Sequence, residues 1–515
     1  LLQNTTAEIS NIIENEQVVD LPLNGRQFLQ LALLTEGAIK PPGGTRGASL
    51  QQAGDLVNIG GQRAGHNIYL FDGVKVTDEL FNNLALSPAV DAIQEFKIQK
   101  SLYSAEFGGK ASALINVLSK SGTNDFHGNL YAFHRNDALD AKNFFDSPSE
   151  PIPPFSQNQF GGTFGGPLTI PGIYDGKNRT FFFLNYEGQR IRQSITKTFS
   201  VPTAEVRSGN FSNLGTIYDP LTVNTQTGSR QPFSNNQIPQ NRLDLIAQAF
   251  LKKVPLPNLS GNVQNLVTSP SQKTNMDQFN IRLDHIASPK NTLFGRLTIF
   301  NIKTFQPFGN TGLNEDLLSG FGHTVTTKSR NLAMSYTHSF TSNVLNELRF
   351  GWLKVSGGQT SENKGLNFAN ISGLKGVPSD PRDTGYPLMS FAGEFSSMGD
   401  PTSFIFRNNQ SFEIFENVLW NRGQHQLKFG AYWFHLNLHP SNPEFARGAF
   451  SFSPRFSSSK VGLSDGSAFA DFLLGFPTSA QVGTGRGEEN GRTNWYHTYV
   501  QDDWQAHPDL AINIG

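Results

Sequence analysis

Beyond residue 125 the chain repeatedly alternates bulky apolar residues with small or polar ones, and a period of two requires extended strands whose two faces meet different surroundings. In the clearest run, Leu332, Met334, Tyr336, His338 and Phe340 interleave with Asn331, Ala333, Ser335, Thr337 and Ser339. After a break at 341–343, Leu348, Phe350 and Trp352 oppose Glu347, Arg349 and Gly351. Phe279, Ile281 and Leu283 likewise alternate with Gln278, Asn280, Arg282 and Asp284, and Leu293, Gly295, Leu297 and Ile299 with Phe294, Arg296, Thr298 and Phe300. Phe412, Ile414, Val418 and Trp420 precede a turn at 421–423, and Leu427, Phe429, Ala431 and Trp433 follow it. Each run spans about nine to eleven residues, enough to cross a bilayer when tilted. Trp352, Trp420, Trp433 and Trp495 are predicted to form an interfacial girdle, and Arg282, Asp284, Arg296 and Arg349 to line a wet lumen.

The breaks are unequal. Residues 287–291 form a short one, whereas 356–407 and 438–492 are long, rich in Gly, Ser, Asn and Pro, and predicted to be structureless. Short turns on one side and long loops on the other are the pattern of an outer-membrane barrel. No run of about 18 apolar residues occurs, which excludes a transmembrane helix here but not a barrel, whose strands leave no hydropathy peak. A soluble sandwich or propeller also uses short alternating strands, so alternation by itself leaves both architectures open. With 41 basic against 42 acidic residues there is no broad basic surface for nucleic acid. The absence of Cys excludes disulfides, thiolate metal sites and Cys nucleophiles.

Residues 1–124 have another texture, with mixed short periodic segments and few aromatics, as in a small α/β unit. Residues 67–71 read as a strand entering a tight turn at Asp72-Gly73, residues that tolerate the backbone angles a turn needs. Residues 95–98 and 113–118 read as two further strands, with a sharp loop at Gly108-Gly109 between them.

Motifs for chemistry fail on context. The Ser457-Ser458-Ser459-Lys460 spacing of a penicillin-binding enzyme lacks its companion boxes. His435 and His439 have the spacing of a helical zinc pair, but on a strand they are about 13 Å apart. The Gly-rich stretches 161–166 and 483–487 have no phosphate-loop Lys, and Asp502 and Asp503 point to opposite faces of a strand. No enzymatic activity, cofactor or metal is expected.

The order and spacing of Gly61-Gln62-Arg63, Asn67, Tyr69, Asp72-Gly73, 92–96, Tyr103, Phe107-Gly108-Gly109 and 115–117 resemble the plug domain of TonB-dependent outer-membrane transporters. Residues 19–26 resemble the plug start of the Oar-like subgroup, and 159–168, 181–187 and 499–504 are similar to Oar-like barrel strands. The resemblance implies a mainly β fold: a transmembrane antiparallel β-barrel of about 22 strands in the full-length protein, incomplete here, with an N-terminal α/β plug. It implies a plug over 1–124 and a barrel over 125–515, set in the lipid of a Gram-negative outer membrane. The start at Leu1 and the stop at Gly515 within an alternating run predict a protein that continues past both, with its TonB box, signal peptide and upstream carboxypeptidase-regulatory-like domain outside this segment.

The activity implied is capture of a solute, an oligosaccharide or peptide, by loops and plug, and its admission when the TonB-ExbB-ExbD complex rearranges the plug. An Oar-like surface receptor, export or adhesion factor without import, and a secreted soluble glycan binder, are the alternatives. Arg63, Asn67, Tyr69, Asp72 and Gly73 are the expected plug-core and gating residues, with Gly108 and Gly109 at a plug loop. Phe391, Phe395, Phe404 and Phe406 are the candidate loop contacts to a ligand, able to stack on a sugar or grip a peptide, with packing of the loops on themselves as the favoured reading.

Overall fold

Two separate sheets take up the two textures of the sequence in the computed structural model, which describes residues 9–21, 23–41, 56–101, 103–142, 152–309, 317–378, 380–400, 406–485 and 487–515. The N-terminal sheet contains β1 (Ile9–Glu14), β2 (Ile68–Phe71), β3 (Val74–Lys75), β4 (Ile93–Ser101) and β5 (Leu114–Ser119) in the order β1-β4-β5-β2-β3. Only β2 and β5 run parallel. All four residues of β2 are buried, because Tyr69 and Phe71 enter one apolar cluster while Ile68 and Leu70 enter another. The larger cluster is completed from outside the unit by Met276, Phe300, Leu353 and Val355 of the second sheet.

That second sheet is an antiparallel meander of β6 (His127–Asn136), β7 (Phe155–Pro167), β8 (Thr180–Ser194), β9 (Ser271–Ser288), β10 (Asn291–Gln306), β11 (His323–Thr341), β12 (Val344–Ser361), β13 (Phe406–Arg422), β14 (His425–Leu438), β15 (Gly491–His507) and β16 (Leu510–Ile514). Each strand pairs with its neighbours in sequence, and β6 and β16 are the free edges. The faces fall as the alternation requires. Phe279, Ile281, Leu283 and Met334 are each more than a third exposed on the outer side, whereas Gln278, Asn280, Thr298 and Asn331 are buried on the inner side. No helix among the described residues is long and apolar enough to cross a membrane.

The strands exceed the predicted length. β9 to β12 have 18, 16, 19 and 18 residues, and at about 3.3 Å per residue they continue well past the hydrocarbon layer. Past the lipid neither face has to be apolar, so stretches such as 271–274 and 356–361 pair as strand without the alternation that marks the rest. Two-residue turns at 289–290, 342–343, 423–424 and 508–509 join strands at one end. The connections 195–270, 307–322, 362–405 and 439–490 all lie at the other end.

These long connections are not structureless, which corrects the sequence expectation. They share one apolar core in which Phe250 packs against Phe321, Phe368, Tyr386 and Phe472 at ring-centre distances of 5.6–6.3 Å. Helices such as Leu245–Leu251 and Ala468–Leu473 are too short to persist alone, and this core together with side-chain caps from Asp244 and Ser467 holds them. Main-chain bonds stitch one loop to another: Asp244 N–H donates to Leu473 O (2.7 Å), Tyr218 N–H to Ser457 O (2.9 Å) and Ser396 N–H to Ser200 O (2.9 Å). The Ser457 and Ser458 hydroxyls donate to Ser467 O and Leu463 O, a structural use of that serine run.

Two carboxylates inside this cap titrate above their ordinary range because burial disfavours their charged form: Glu394, which accepts from Ser467 Oγ (2.7 Å) and Phe469 N–H (3.2 Å), and Asp471. A raised folded-state value means that the folded cap holds more protons than the unfolded chain, so stability falls as pH rises from the ordinary carboxylate range through the raised value. Limited proteolysis of the cap is therefore expected to quicken as pH rises through that range, and Glu394→Gln to flatten part of that dependence; an unchanged slope in the E394Q variant would contradict it.

Candidate functional site

The interface between the two sheets is built on the β2–β3 turn. Asp72 and Gly73 both have positive φ, 52° and 75°, as a two-residue type I′ hairpin turn demands. The turn aims the Asp72 carboxylate at the wall. It accepts from Ser119 N–H and Oγ (both 2.8 Å) and from Arg296 Nε (2.5 Å), with Arg282 Nη1 at 3.4 Å. Arg296 is fully buried and uses the rest of its fork on Thr298 Oγ1 (2.6 Å), Phe71 O (2.9 Å) and Asn331 Oδ1 (2.8 Å), with its plane 3.7 Å from the Phe71 ring centre. Arg282 binds Asp284 through Nε and Nη2 and donates to Ser119 O (3.1 Å).

Parallel contacts repeat along the wall. Arg349 donates to Gly73 O (3.2 Å) and Glu106 (2.8 Å), and pairs with Glu347 (2.9 Å). Arg407 pairs with Asp78 (3.2 Å) and lies over the Phe81 ring. Glu413 accepts from Lys75 N–H (2.6 Å) and from the Tyr432 hydroxyl (3.0 Å). On the opposite flank Arg26 pairs with Asp91 and approaches Glu187 (3.8 Å), which in turn accepts from the Tyr131 hydroxyl (2.9 Å). The inward cations predicted to line water thus grip the N-terminal unit instead: Arg282, Arg296 and Arg349 are largely buried against it.

Gly73 is confined twice over. A Cβ there would lie 2.4 Å from Arg349 Nη1, on a backbone with φ of 75°. Gly73→Ala is expected to cost about 1–2 kcal/mol from the left-handed backbone alone, with a further loss from displacing Arg349; urea unfolding of the purified protein checks it, and an unchanged midpoint would contradict it.

The other expected positions fall as follows. Asn67 is buried, donates to Val57 O (2.8 Å) and accepts from Ser112 Oγ (2.8 Å). Tyr69 is buried beside it, and burial pushes its hydroxyl up to about 12. Gly108 and Gly109 are exposed in the loop that borders a cavity of about 870 Å3 between the N-terminal unit and β13–β15. Arg63, expected in the core, instead has an exposed side chain, and its carbonyl accepts from His66 N–H (2.9 Å).

The candidate loop rings fall in different surroundings. Phe391 and Phe395 are buried in the cap core, where the aromatic cluster consumes their faces, and Phe406 is exposed at the first position of β13 on the outer side. Phe404 lies outside the described residues. Trp495, assigned to a girdle, stacks on Phe434 at 5.0 Å on the inner side, while its neighbour Tyr496 is the one that points out. Asp78, Glu413 and Arg407 were missed, although a single charge at an inward strand position such as Glu413, between Phe412 and Ile414, was the available signal. No cluster of three metal-ligand side chains occurs among the described residues.

Residues 118–515 match the family model of the outer membrane beta barrel domain. An alignment of 181 positions with the TonB-dependent transporter Oar of Myxococcus xanthus, covering 32% of this chain and 16% of that protein, is 28% identical. The outer membrane transporter YddB from Escherichia coli aligns with 98% of this chain and 56% of its own at a TM-score of 0.58 and 13% sequence identity, a likeness of fold. The chain therefore spans about half the length of that solved transporter.

Proposed function

From the premise that this chain belongs to the outer membrane beta barrel domain family, whose members are non-enzymatic proteins of the Gram-negative outer membrane, we propose that it acts as a TonB-dependent receptor and transporter. Residues 1–124 are its plug and 125–515 belong to its barrel. Loops and plug bind a solute, an oligosaccharide or a peptide, and a pull through TonB from the periplasm displaces the plug to admit it.

A single observation carries this reading. Among the described residues the plug sheet and the wall sheet share no strand pairing and no main-chain-to-main-chain hydrogen bond, so the contacts between them run through side chains. A ladder of main-chain bonds would have to break as a unit, whereas ion pairs such as Arg296–Asp72 and Arg407–Asp78 can separate in succession as water enters and solvates each group. Asp72 and Gly73 hold the plug in place, and Gly108 and Gly109 border the path along which it loosens.

The test is uptake in a Gram-negative host, with and without TonB, of labelled peptide and oligosaccharide pools by cells that carry the protein as a heat-modifiable outer-membrane band. Accumulation that disappears without TonB supports the reading; accumulation indifferent to TonB, or a protein found in the medium, overturns it.

A further inference from the structure

The side chain of Lys75 ends among three aromatic rings of the wall. Its ammonium lies 4.5 Å from the ring centre of Phe434, 5.5 Å from Trp495 and 5.6 Å from Tyr432. These three rings belong to β14 and β15 and face inward, and Tyr432 and Trp495 line the 870 Å3 cavity together with Lys75. Aromatic faces grouped around an ammonium form a cation site, because each ring presents the negative face of its quadrupole. The wall supplies a carboxylate to the same place: Glu413 is buried, and of its two oxygens one accepts from Lys75 N–H and the other from the Tyr432 hydroxyl.

The consequence appears when the plug moves. Withdrawing Lys75 strips Glu413 of one partner and bares three ring faces while the carboxylate stays on the wall. The neighbouring cation Arg349 loses Glu106 when the plug leaves but stays paired with Glu347 on its own strand (2.9 Å). The Lys75 ammonium is paired with Glu79 of the N-terminal unit (3.7 Å) and leaves with it; the buried Glu413 carboxylate has then lost a hydrogen-bond donor, which is unfavourable, so the vacated place favours a new donor and a cation above all. We infer that Phe434, Trp495, Tyr432 and Glu413 form a cation-selective subsite on the barrel wall, occupied by Lys75 at rest and taken by an ammonium or guanidinium group of a basic peptide as the plug withdraws. This rests on the transporter reading and gives its solute a chemical class. Lys75 then acts as an internal stand-in for that solute, keeping the subsite closed until the plug is pulled.

The test uses the purified full chain in detergent. Tetralysine amide is titrated into wild type, Lys75→Met and Lys75→Met/Glu413→Gln while tryptophan fluorescence is followed, and Trp495→Phe in the Lys75→Met background assigns the signal. Lys75→Met is expected to bind tetralysine at least tenfold more tightly than wild type, and the double variant to lose that gain. Tetraglutamate and maltotetraose are expected to show no such gain. Equal binding by wild type and Lys75→Met, or a preference of Lys75→Met for maltotetraose, would overturn the subsite. Should Lys75→Met lose its heat-modifiable form, Lys75→Ala is unfolded in urea with n-butylammonium or n-butanol present. Recovery of the midpoint by the amine alone supports a cation site, and equal recovery by the alcohol refutes it. Binding is read without TonB, so failure of uptake and failure of this subsite are separate results.

Discussion

Asp72→Ala is expected to release the N-terminal unit from the wall at a much lower urea concentration than wild type. Arg296 has no exposure to solvent, and Asp72 is the carboxylate that neutralises it; Arg282 also loses a partner. Removing one member of a buried pair leaves the other charged and desolvated, which costs about 3–5 kcal/mol. The loss also strands Ser119 N–H and Oγ, both bonded to the same carboxylate. Asp72→Asn separates charge from geometry, since Asn tolerates the left-handed backbone at this turn and keeps an acceptor. It is expected to fall between wild type and Ala.

Replacing both partners, Asp72→Asn with Arg296→Met, is expected to recover some of the loss, because an apolar group in place of the buried cation needs no neutralising partner. Proteolysis of the N-terminal unit in rising urea reads its release directly. Cleavage that begins at the same urea concentration in Asp72→Ala as in wild type would show that the hub does not hold it.

Phe250→Ala is expected to loosen the whole loop cap without loosening the strands of the wall. The ring is fully buried and touches aromatic residues from three other long connections, at Phe321, Phe368 with Tyr386, and Phe472. Truncating a buried Phe costs about 3–5 kcal/mol. Because the loops share one core, the loss is not confined to 195–270: hydrogen exchange is expected to accelerate in Phe368–Ser372 and Ala468–Leu473 while amides of β9 to β12 keep their protection. Acceleration limited to 195–270 would mean that the loops fold separately. A cap of this kind is one preformed surface rather than four independent arms.

How far these features can be read from the sequence depends on whether they are local. The inward and outward assignment of β9 to β14 follows from consecutive residues, since lipid on one side and protein on the other impose opposite demands at every second position. The Asp72-Gly73 turn is equally local, because its two positive φ values suit these two residue types. The alternation fails where its cause is absent. Trp495 and Tyr496 are adjacent aromatics, so the pattern does not say which of them faces lipid, and only the pairing of β15 with β14 directs Trp495 to Phe434. The loop aromatics look alike as available rings in the sequence, yet Phe391 and Phe395 are buried by partners from distant loops.

The sequence alone thus determined that this chain pairs as a long antiparallel sheet with an apolar outer face, where the turns between strands lie, and that a differently patterned unit precedes it. Only the tertiary structure decided that the inward arginines are anchors for that unit and not the lining of a wet pore, that the long loops build a core, and that Lys75 fills an aromatic and acidic place on the wall. Asp72 and Arg296 are 224 residues apart, and Lys75 and Glu413 are 338 apart. A charge carries no mark of which distant group will neutralise it: alternation is set by each residue's immediate neighbours, whereas a buried pair is chosen by whichever partner the closed fold brings close enough to replace water.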